Sequence, residues 1–351
     1  MRVLVAMSGG VDSSVAAALL RDQGHDVVGA TLKLWGGAGD SGCCSVADVE
    51  DARRVAQVLG IEHHVFAYTE EFRARVVEPY VRAHAEGRTP NPCIDCNRFV
   101  KFDLLAERAR RLGFDALATG HYARIVTRHG ATALGRGVDA AKDQSYVLAY
   151  LKSAMLDFLV LPIGEMRKSE VRARAAAAGL RTWDKPDSQD VCFIESASGR
   201  AGFLGGRLTM TPATVVDRDS GSVLGQVDAA ELVTVGQRRH VPSPDGARRY
   251  VTRVDVAGRR VEVSPLAGAL RTRVELVPGS LSAVGEPLGD GPIWVQVSAH
   301  ARPQAGRLRL QGNGVVELAV PIRPVAPGQT VVFYHDDAPD IVAGAALVAS
   351  P

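Results

Sequence analysis

The sequence predicts an α/β protein in which a doubly wound parallel sheet is followed by a small β domain and a C-terminal β-barrel. Three observations carry this expectation. Short apolar runs alternate with amphipathic helical stretches from residue 2 to about residue 180, the pattern of strands joined by crossover helices. After about Ser196 the helical period disappears, and short Val-rich runs separated by Gly, Pro and Asp take over. The 351 residues are also too many for one ordinary domain. The expected divisions are residues 1–195, 196–262 and 263–351.

In chain order, residues 2–7 form an apolar strand that enters a Gly-rich loop. A helix with Val15, Ala18 and Leu19 on one face runs to about Gly24, and residues 26–34 form a second strand. Ser45, with Asp48 three residues on, opens a helix in the manner of a capping box. Val49, Ala52, Ala56 and Leu59 form its stripe, and Gly60 closes it. Residues 63–68 read as a buried strand and 70–86 as one helix. Residues 87–97 are rich in turn formers, 99–112 are helical up to Gly113, and 116–119 form a strand ending in Gly120-His121. A helix ends over 171–178, closed by Gly179. The later strands are ATVVD, VTRVDV, RRVEVSP, IWVQVSA, RLRLQ, VVELAV and TVVFYH, with a seam or long loop between Val277 and Pro292.

Composition sets the class. Hydrophobic content is 46% and charged content 23%, ordinary for a globular protein. No apolar run reaches the roughly 18 residues of a membrane span, and MRVLVAM runs straight into a polar loop, unlike a signal peptide. A cytoplasmic enzyme is expected. Net charge is +2, so charge does not announce a nucleic-acid binder. Of 41 basic residues only six are lysine, and none follows Lys185. Five cysteines (Cys43, Cys44, Cys93, Cys96, Cys192) at uneven spacing are not a disulfide framework.

Three motifs carry chemistry. Ser8-Gly9-Gly10-Val11-Asp12-Ser13-Ser14 lies between a strand and a helix. Glycines there let backbone approach phosphate, and the helix N-terminus favours anions. The string lacks the GKS or GKT ending of a Walker A loop and the three-glycine Rossmann spacing. It matches the pyrophosphatase-type loop of ATP-dependent adenylating enzymes, in which Asp12 would help hold Mg²⁺ on the phosphates. Asn91-Pro92-Cys93-Ile94-Asp95-Cys96-Asn97 sets two cysteines three apart, a metal or redox spacing. Cys43 and Cys44 are adjacent, which suits tetrahedral zinc poorly, and carry no assigned chemistry. Asp187-Ser188-Gln189-Asp190-Val191-Cys192 is polar around its thiol, which points to a cleft edge rather than a core.

Taken together, SGGVDSS, GCCS, RTPNPCIDCN, ATGHYAR, AKDQSY, KPDSQDVCFI and a tail with PGQTVVFY resemble the tRNA-specific 2-thiouridylases, densely over residues 1–195 and sparsely over the last ninety. The resemblance implies an adenine-nucleotide hydrolase type of N-terminal fold and a barrel that contacts tRNA. It implies that ATP adenylates the C2 oxygen of the wobble uridine, number 34 of the tRNA, and that a cysteine persulfide replaces that oxygen with sulfur. Cys96 matches the family's nucleophile and Cys192 the cysteine that receives persulfide sulfur, the two closing as a disulfide afterwards. Ala6, Met7, Ser8, Gly9, Gly10, Val11, Asp12, Ser13, Leu32 and Gly120 fall where the family contacts ATP. Asn91, Pro92 and Cys93 fall where it holds the target base. His121, Lys142, Asp143, Gln144 and Gln329 fall on tRNA contacts. The family also implies tRNAs for Lys, Glu and Gln, and a cysteine desulfurase or sulfur carrier as donor.

Three departures stand out. Cys93 occupies a position that is often Asp in the family. Residues 297–300 replace a common basic-aromatic-basic run, with Arg302 as a substitute. The glycine-rich run after Gly236-Gln237-Arg238 is missing. Cys93 opens a second reading, in which Cys93, Cys96 and Cys192 ligate a [4Fe-4S] cluster. Two rivals lie outside thiolation: another adenylating enzyme of the same loop, such as an amidotransferase-type synthetase, and an RNA-binding module on a degenerate scaffold.

Overall fold

The computed structural model describes residues 1–35, 45–187, 191–195 and 197–349. Cys43, Cys44 and the Ser188-Gln189-Asp190 string lie outside them. The chain divides into two units: Met1–Val77 with Cys93–Ala197 and Asp340–Val342, and Glu78–Pro92 with Ser198–Pro339 and Ala343–Pro351.

The first unit is built on a parallel sheet of β1 (Arg2–Ala6), β2 (Asp26–Lys33), β3 (Glu62–Ala67), β4 (Ala116–Thr119) and β7 (Leu159–Val160), in the order β3-β2-β1-β4-β7. Val3, Leu4 and Val5 are fully buried because both faces of the central strand are covered. A core of Val3, Val5, Val15, Ala16, Leu20 and Ala118 joins the sheet to helix Val11–Asp22. That helix also packs on helix Lys168–Ala177. Helix Val46–Leu59 is capped by Ser45, whose hydroxyl accepts from the Asp48 amide, and ends at Gly60 in the left-handed region. A hairpin that no periodicity announced, β5 (Ala123–Arg128) and β6 (Ala131–Arg136), turns on His129 and Gly130, both with positive φ.

Three expectations change. β3 is not a buried strand: it stands at the sheet edge, is largely exposed, and the His63 ring Nε2 shares a 2.8 Å hydrogen bond with the Thr31 hydroxyl. The helix over 70–86 is interrupted. Thr69–Phe72 is α-helical, Arg73–Val77 is π-helical, and Glu78–Ala85 is α-helical again. Pro79 lacks the N–H that an unbroken ladder needs, so the register widens just before it. Finally, the turn-rich stretch ends early. Pro92 opens helix Pro92–Asp95, as its fixed φ and absent N–H allow at a first helical position, and Cys96–Leu104 continues with π-helical turns.

The second unit holds two sheets. One orders β10 (Arg249–Asp255), β11 (Arg260–Pro265), β8 (Ala213–Asp217) and β9 (Val223–Val227). The other orders β12 (Arg271–Glu275), β16 (Val315–Ile322), β15 (Gln304–Arg309), β14 (Gly291–Gln296), β17 (Thr330–Tyr334), β18 (Val342–Leu347) and β13 (Ser282–Ala283). This sheet closes on itself: Leu276 bridges Val348, and the Ala349 amide donates to the Glu275 carbonyl at 2.9 Å. Val274, Val295, Leu308, Val316, Val331 and Phe333 fill the barrel.

Candidate active site

The order of the parallel sheet places its switch point between β1 and β4, where neighbouring strands lead to opposite sides. Ligands of such sheets bind in the crevice at the carboxyl ends there. The loop after β1 and Gly120 after β4 both lie at that point. The loop is held from inside. Ser13 Oγ accepts from the Ser8 amide at 3.1 Å and donates to the Gly10 carbonyl at 3.2 Å; Ser14 Oγ donates to the same carbonyl at 2.8 Å. Gly9 sits at φ +72°, and a Cβ there would stand 2.3 Å from the Asp48 carbonyl oxygen. A Cβ on Gly120 would stand 2.5 Å from the Ser13 amide nitrogen. Only glycine permits these approaches, and they leave the first-turn amides of the helix as the loop's donors. Ala6 is half-buried, Met7, Val11 and Leu32 are buried, and Ser8 is exposed.

A charge network surrounds this loop. Lys168 Nζ reaches both Asp12 oxygens at 2.8 Å and Asp187 Oδ1 at 2.8 Å. The Tyr122 hydroxyl donates to Asp12 Oδ1 at 2.7 Å. Burial, and then the charge of Asp12, push the Tyr122 phenol far up, so it remains a donor. Asp187 also takes Lys142 at 2.7 Å and Arg172 at 2.9 Å. Burial alone would raise the Asp187 carboxyl, but hydrogen bonds from Lys142 and Lys168 outweigh it and hold the group at about 2. Lys185 Nζ donates to the Gly9 carbonyl at 3.0 Å and to Asp48 and Asp51 at 2.8 and 2.7 Å. Asp187 opened the third sequence motif without a role of its own, and Lys168, Lys185 and Tyr122 were absent from the sequence-derived site. One signal could have found them. Three of the six lysines of a chain that otherwise uses arginine, namely Lys142, Lys168 and Lys185, meet here, where a compact ammonium fits a crowded set of carboxylates.

The cysteines fall on the same unit. Cys96 is buried at the start of the π-helical turns, Cys93 is exposed one turn earlier, and Cys192 is half-buried. Phe193, next to Cys192, packs its ring 5.7 Å from Phe72 and 6.1 Å from Trp35, at the end of β2. Helix Thr69–Phe72 packs in turn on the Cys96 helix. Between the first two thiols, burial pushes the Asp95 carboxyl up to about 6, with Arg98 pulling it back. Among the described residues no three His, Cys, Asp or Glu side chains are grouped to hold a metal ion. Cys93, Cys96 and Cys192 therefore do not form a three-thiolate ligand set in this structure.

The residues expected at tRNA have varied surroundings. Lys142 is half-buried in the network above. Asp143 accepts from Arg136 Nε at 2.7 Å and from the Gly137 and Ser145 amides, and Gln144 Oε1 accepts from the Tyr122 amide at 2.9 Å. His121 is buried against Phe102, shares a 2.8 Å hydrogen bond with the Thr119 hydroxyl, and is pushed down to about 3 by burial and by Lys101. Asn91, Pro92 and Gln329 belong to the second unit, where Gln329 donates to the Thr89 carbonyl.

A glycine-rich loop at the switch point of a parallel sheet defines a nucleotide-binding α/β protein. Residues 1–196 match the family model described as "tRNA methyl transferase HUP domain", and residues 284–348 the "Aminomethyltransferase beta-barrel domain". The "tRNA-specific 2-thiouridylase MnmA" of Mycobacterium avium is 46% identical over 361 aligned positions, covering 99% of each chain. That of Acidothermus cellulolyticus is also 46% identical, covering 96% of this chain and 95% of its own. The chain belongs to the tRNA-specific 2-thiouridylase family. A solved structure described as a 4-thiouridine synthetase–RNA complex with bound ATP aligns at TM-score 0.38 and 19% identity, over 54% of this chain and 44% of that one. A likeness at that level carries no argument.

Proposed function

We propose that this enzyme, a tRNA sulfurtransferase by family, activates the C2 oxygen of the wobble uridine with ATP and replaces it with sulfur. ATP lies with its phosphates on the amides of Gly9, Gly10 and the first turn of helix Val11–Asp22. The uridine oxygen attacks the α-phosphorus and pyrophosphate leaves. Cys192, loaded as a persulfide, attacks C2 with its terminal sulfur, and AMP departs with the original oxygen. The Cys96 thiolate then attacks the inner Cys192 sulfur. The S–S bond breaks, its electrons stay with the sulfur on C2, and a Cys96–Cys192 disulfide forms, which a two-electron reductant reopens. Asp12 is the hard oxygen donor that would hold Mg²⁺ on the phosphates, giving up a Lys168 or Tyr122 contact to do so; the ion neutralises phosphate charge.

Asn91, Pro92 and Cys93 would receive the splayed base, and His121, Lys142, Asp143, Gln144 and Gln329 the tRNA. Lysine, glutamate and glutamine tRNAs are the acceptors of this reading, with a cysteine desulfurase or sulfur carrier as donor in the cytoplasm. None of the helices among the described residues is long and apolar enough to cross a membrane.

The observation that carries the reading is the double tether of the segment leading to Cys192 onto the phosphate loop, through Lys185 to Gly9 and through Asp187 and Lys168 to Asp12. The test is nucleoside mass spectrometry of tRNA incubated with ATP, Mg²⁺, a persulfide donor that loads Cys192 and a thiol reductant that reopens the disulfide. 2-Thiouridine should form with the parent chain. Cys96→Ser and Cys192→Ser should each abolish it while ATP still binds. Thiolation that survives both changes would refute the cysteine roles.

A further inference from the structure

No lysine follows Lys185, so the permanent positive charges of the β sheets in the second unit are all arginines. Four of them collect at one edge of the barrel. β12 and β16 pair at Arg271 with Ile322 and again at Arg273 with Glu317, so Thr272 alone stands opposite residues 318–321 of β16. Pro321, in that bulge, brings no N–H to the ladder. A recess opens beside the bulge, lined by Arg271, Arg273 and Arg323 over the apolar Val274, Ile322 and Val325. The fourth arginine, Arg218, follows β8. Burial first, and then the charge of Arg218, pull the Arg271 guanidinium below its ordinary pKa.

These guanidiniums are not spent on acids. Arg271 Nη1 donates to the carbonyls of Gly268, Ala269 and Leu270 at 2.9, 3.0 and 2.9 Å, at the end of the short helix Leu266–Ala269. The three bonds fix the plane of the group through one nitrogen. Nε and Nη2 have no protein partner among the described residues, and that edge suits two parallel hydrogen bonds to a phosphate. Arg218, Arg273 and Arg323 are exposed and form no ion pair among the described residues. The neighbouring acids turn to other groups: Glu317 to Arg309 at 3.5 Å, and Asp219 to the Ser264 hydroxyl at 3.5 Å. Like charges gathered without counter-charges repel one another, and a polyanion relieves that repulsion.

We infer that this arginine recess on the barrel binds the phosphate backbone of the tRNA substrate. Arg271 supplies an oriented fork for one phosphate, and Arg218, Arg273 and Arg323 neutralise its neighbours along the strand. Contacts to phosphate carry no sequence information, so the recess positions tRNA and does not choose among tRNAs. None of these four residues belonged to the sequence-derived site. This inference rests on the reading that the enzyme acts on tRNA.

The experiment measures binding of an unmodified tRNA transcript to the full chain by fluorescence anisotropy over a series of KCl concentrations. The slope of log K against log salt counts the phosphates held, at about 0.7–0.9 for each. The variant is Arg273→Gln with Arg323→Gln, two exposed side chains whose loss breaks no bond of the fold. Its slope should be shallower than the parent's by about 1.4–1.8, two contacts' worth, with the melting temperature unchanged. A control removes the same charge from two exposed arginines of the other sheet region, Arg248→Gln with Arg253→Gln, and should keep the parent slope. A change in the recess variant of less than about 0.7, below one contact, overturns the site. So does an equal change in the control, which would mean that the charge acts only as a diffuse field. If the parent does not bind the transcript at all, the reading of tRNA as substrate fails, an outcome distinct from a parent that binds with a slope the recess does not alter.

Discussion

Single residues here act through what burial does to their charge. His84 is held neutral, pushed down to about 4 by burial and by Arg200, while its ring Nδ1 meets the Glu231 carbonyl at 3.1 Å. Burial pushes His63 down to about 4 and His121 to about 3. A histidine with a lowered folded pKa binds fewer protons than its unfolded form between the two values. Each of the three therefore subtracts stability as pH falls from about 6.5 toward 4. Asp95, raised to about 6, works the other way over about 4 to 6, because its folded form binds the extra proton. Three groups against one decide the sign. The thermal midpoint should drop between pH 6.5 and 4, and His84→Gln should flatten that slope, which calorimetry across buffers would read. Asp187 contributes in a lower window: its stabilisation is present above about 4 and lost as pH falls toward 2.

At the scale of elements, the site depends on backbone that must come closer than a side chain allows. Gly120→Ala places a methyl 2.5 Å from the Ser13 amide nitrogen, on backbone that cannot swing aside. The first turn of helix Val11–Asp22 must then shift, and ATP affinity measured by calorimetry should fall at least tenfold, a loss of about 1.4 kcal/mol. Unchanged affinity would mean that the loop's amides are not the phosphate donors. The cap of helix Val46–Leu59 makes a milder case. Ser45→Ala removes the acceptor of the Asp48 amide, which should cost about 1 kcal/mol of stability and lower the melting temperature by a few degrees in a calorimetric scan, while Lys185 keeps its bond to the Asp48 carboxylate.

At the scale of the whole molecule, the chain does not fold in the order it is written. Residues 78–92 follow the third strand of the nucleotide-binding sheet, yet their partners lie over a hundred positions on. Tyr80 packs on Phe203 with ring centroids 6.3 Å apart, His84 meets Glu231, and the Thr89 amide donates to the Pro327 carbonyl at 2.8 Å. A fragment ending at residue 195 strips those partners away and exposes Tyr80 and His84. It should melt below the full chain and aggregate on heating, as light scattering would show. The barrel has its own buried polar pair: Gln296 gives its amide protons to the Ser298 and Ala299 carbonyls and accepts from the Tyr334 hydroxyl. Tyr334→Phe leaves that acceptor unsatisfied and should cost about 1–3 kcal/mol, read as a shifted denaturation midpoint.

Much of this was legible in the order of residues alone. Period and punctuation located β1, β2 and β4, the Ser45 cap and the closing Gly60, because local backbone preference and one-sided burial write themselves into neighbouring positions. The phosphate loop was legible too, since its glycines serve an approach the string itself displays. The Ala- and Gly-rich strand β18 and the hairpin of β5 and β6 were not, because small residues pack well without leaving an alternating pattern. Nor did any local signal show that Pro92 begins a helix rather than ending a turn, or that β3 stands at an edge. Above all, the pairing of Lys168 with both Asp12 and Asp187 joins positions 12, 168 and 187. Those residues meet only because parallel strands connected by crossovers bring the loop after β1 and the start of a much later helix to one end of the sheet. Contacts of that kind depend on topology, and topology is decided by the burial of whole faces rather than by any short run of residues.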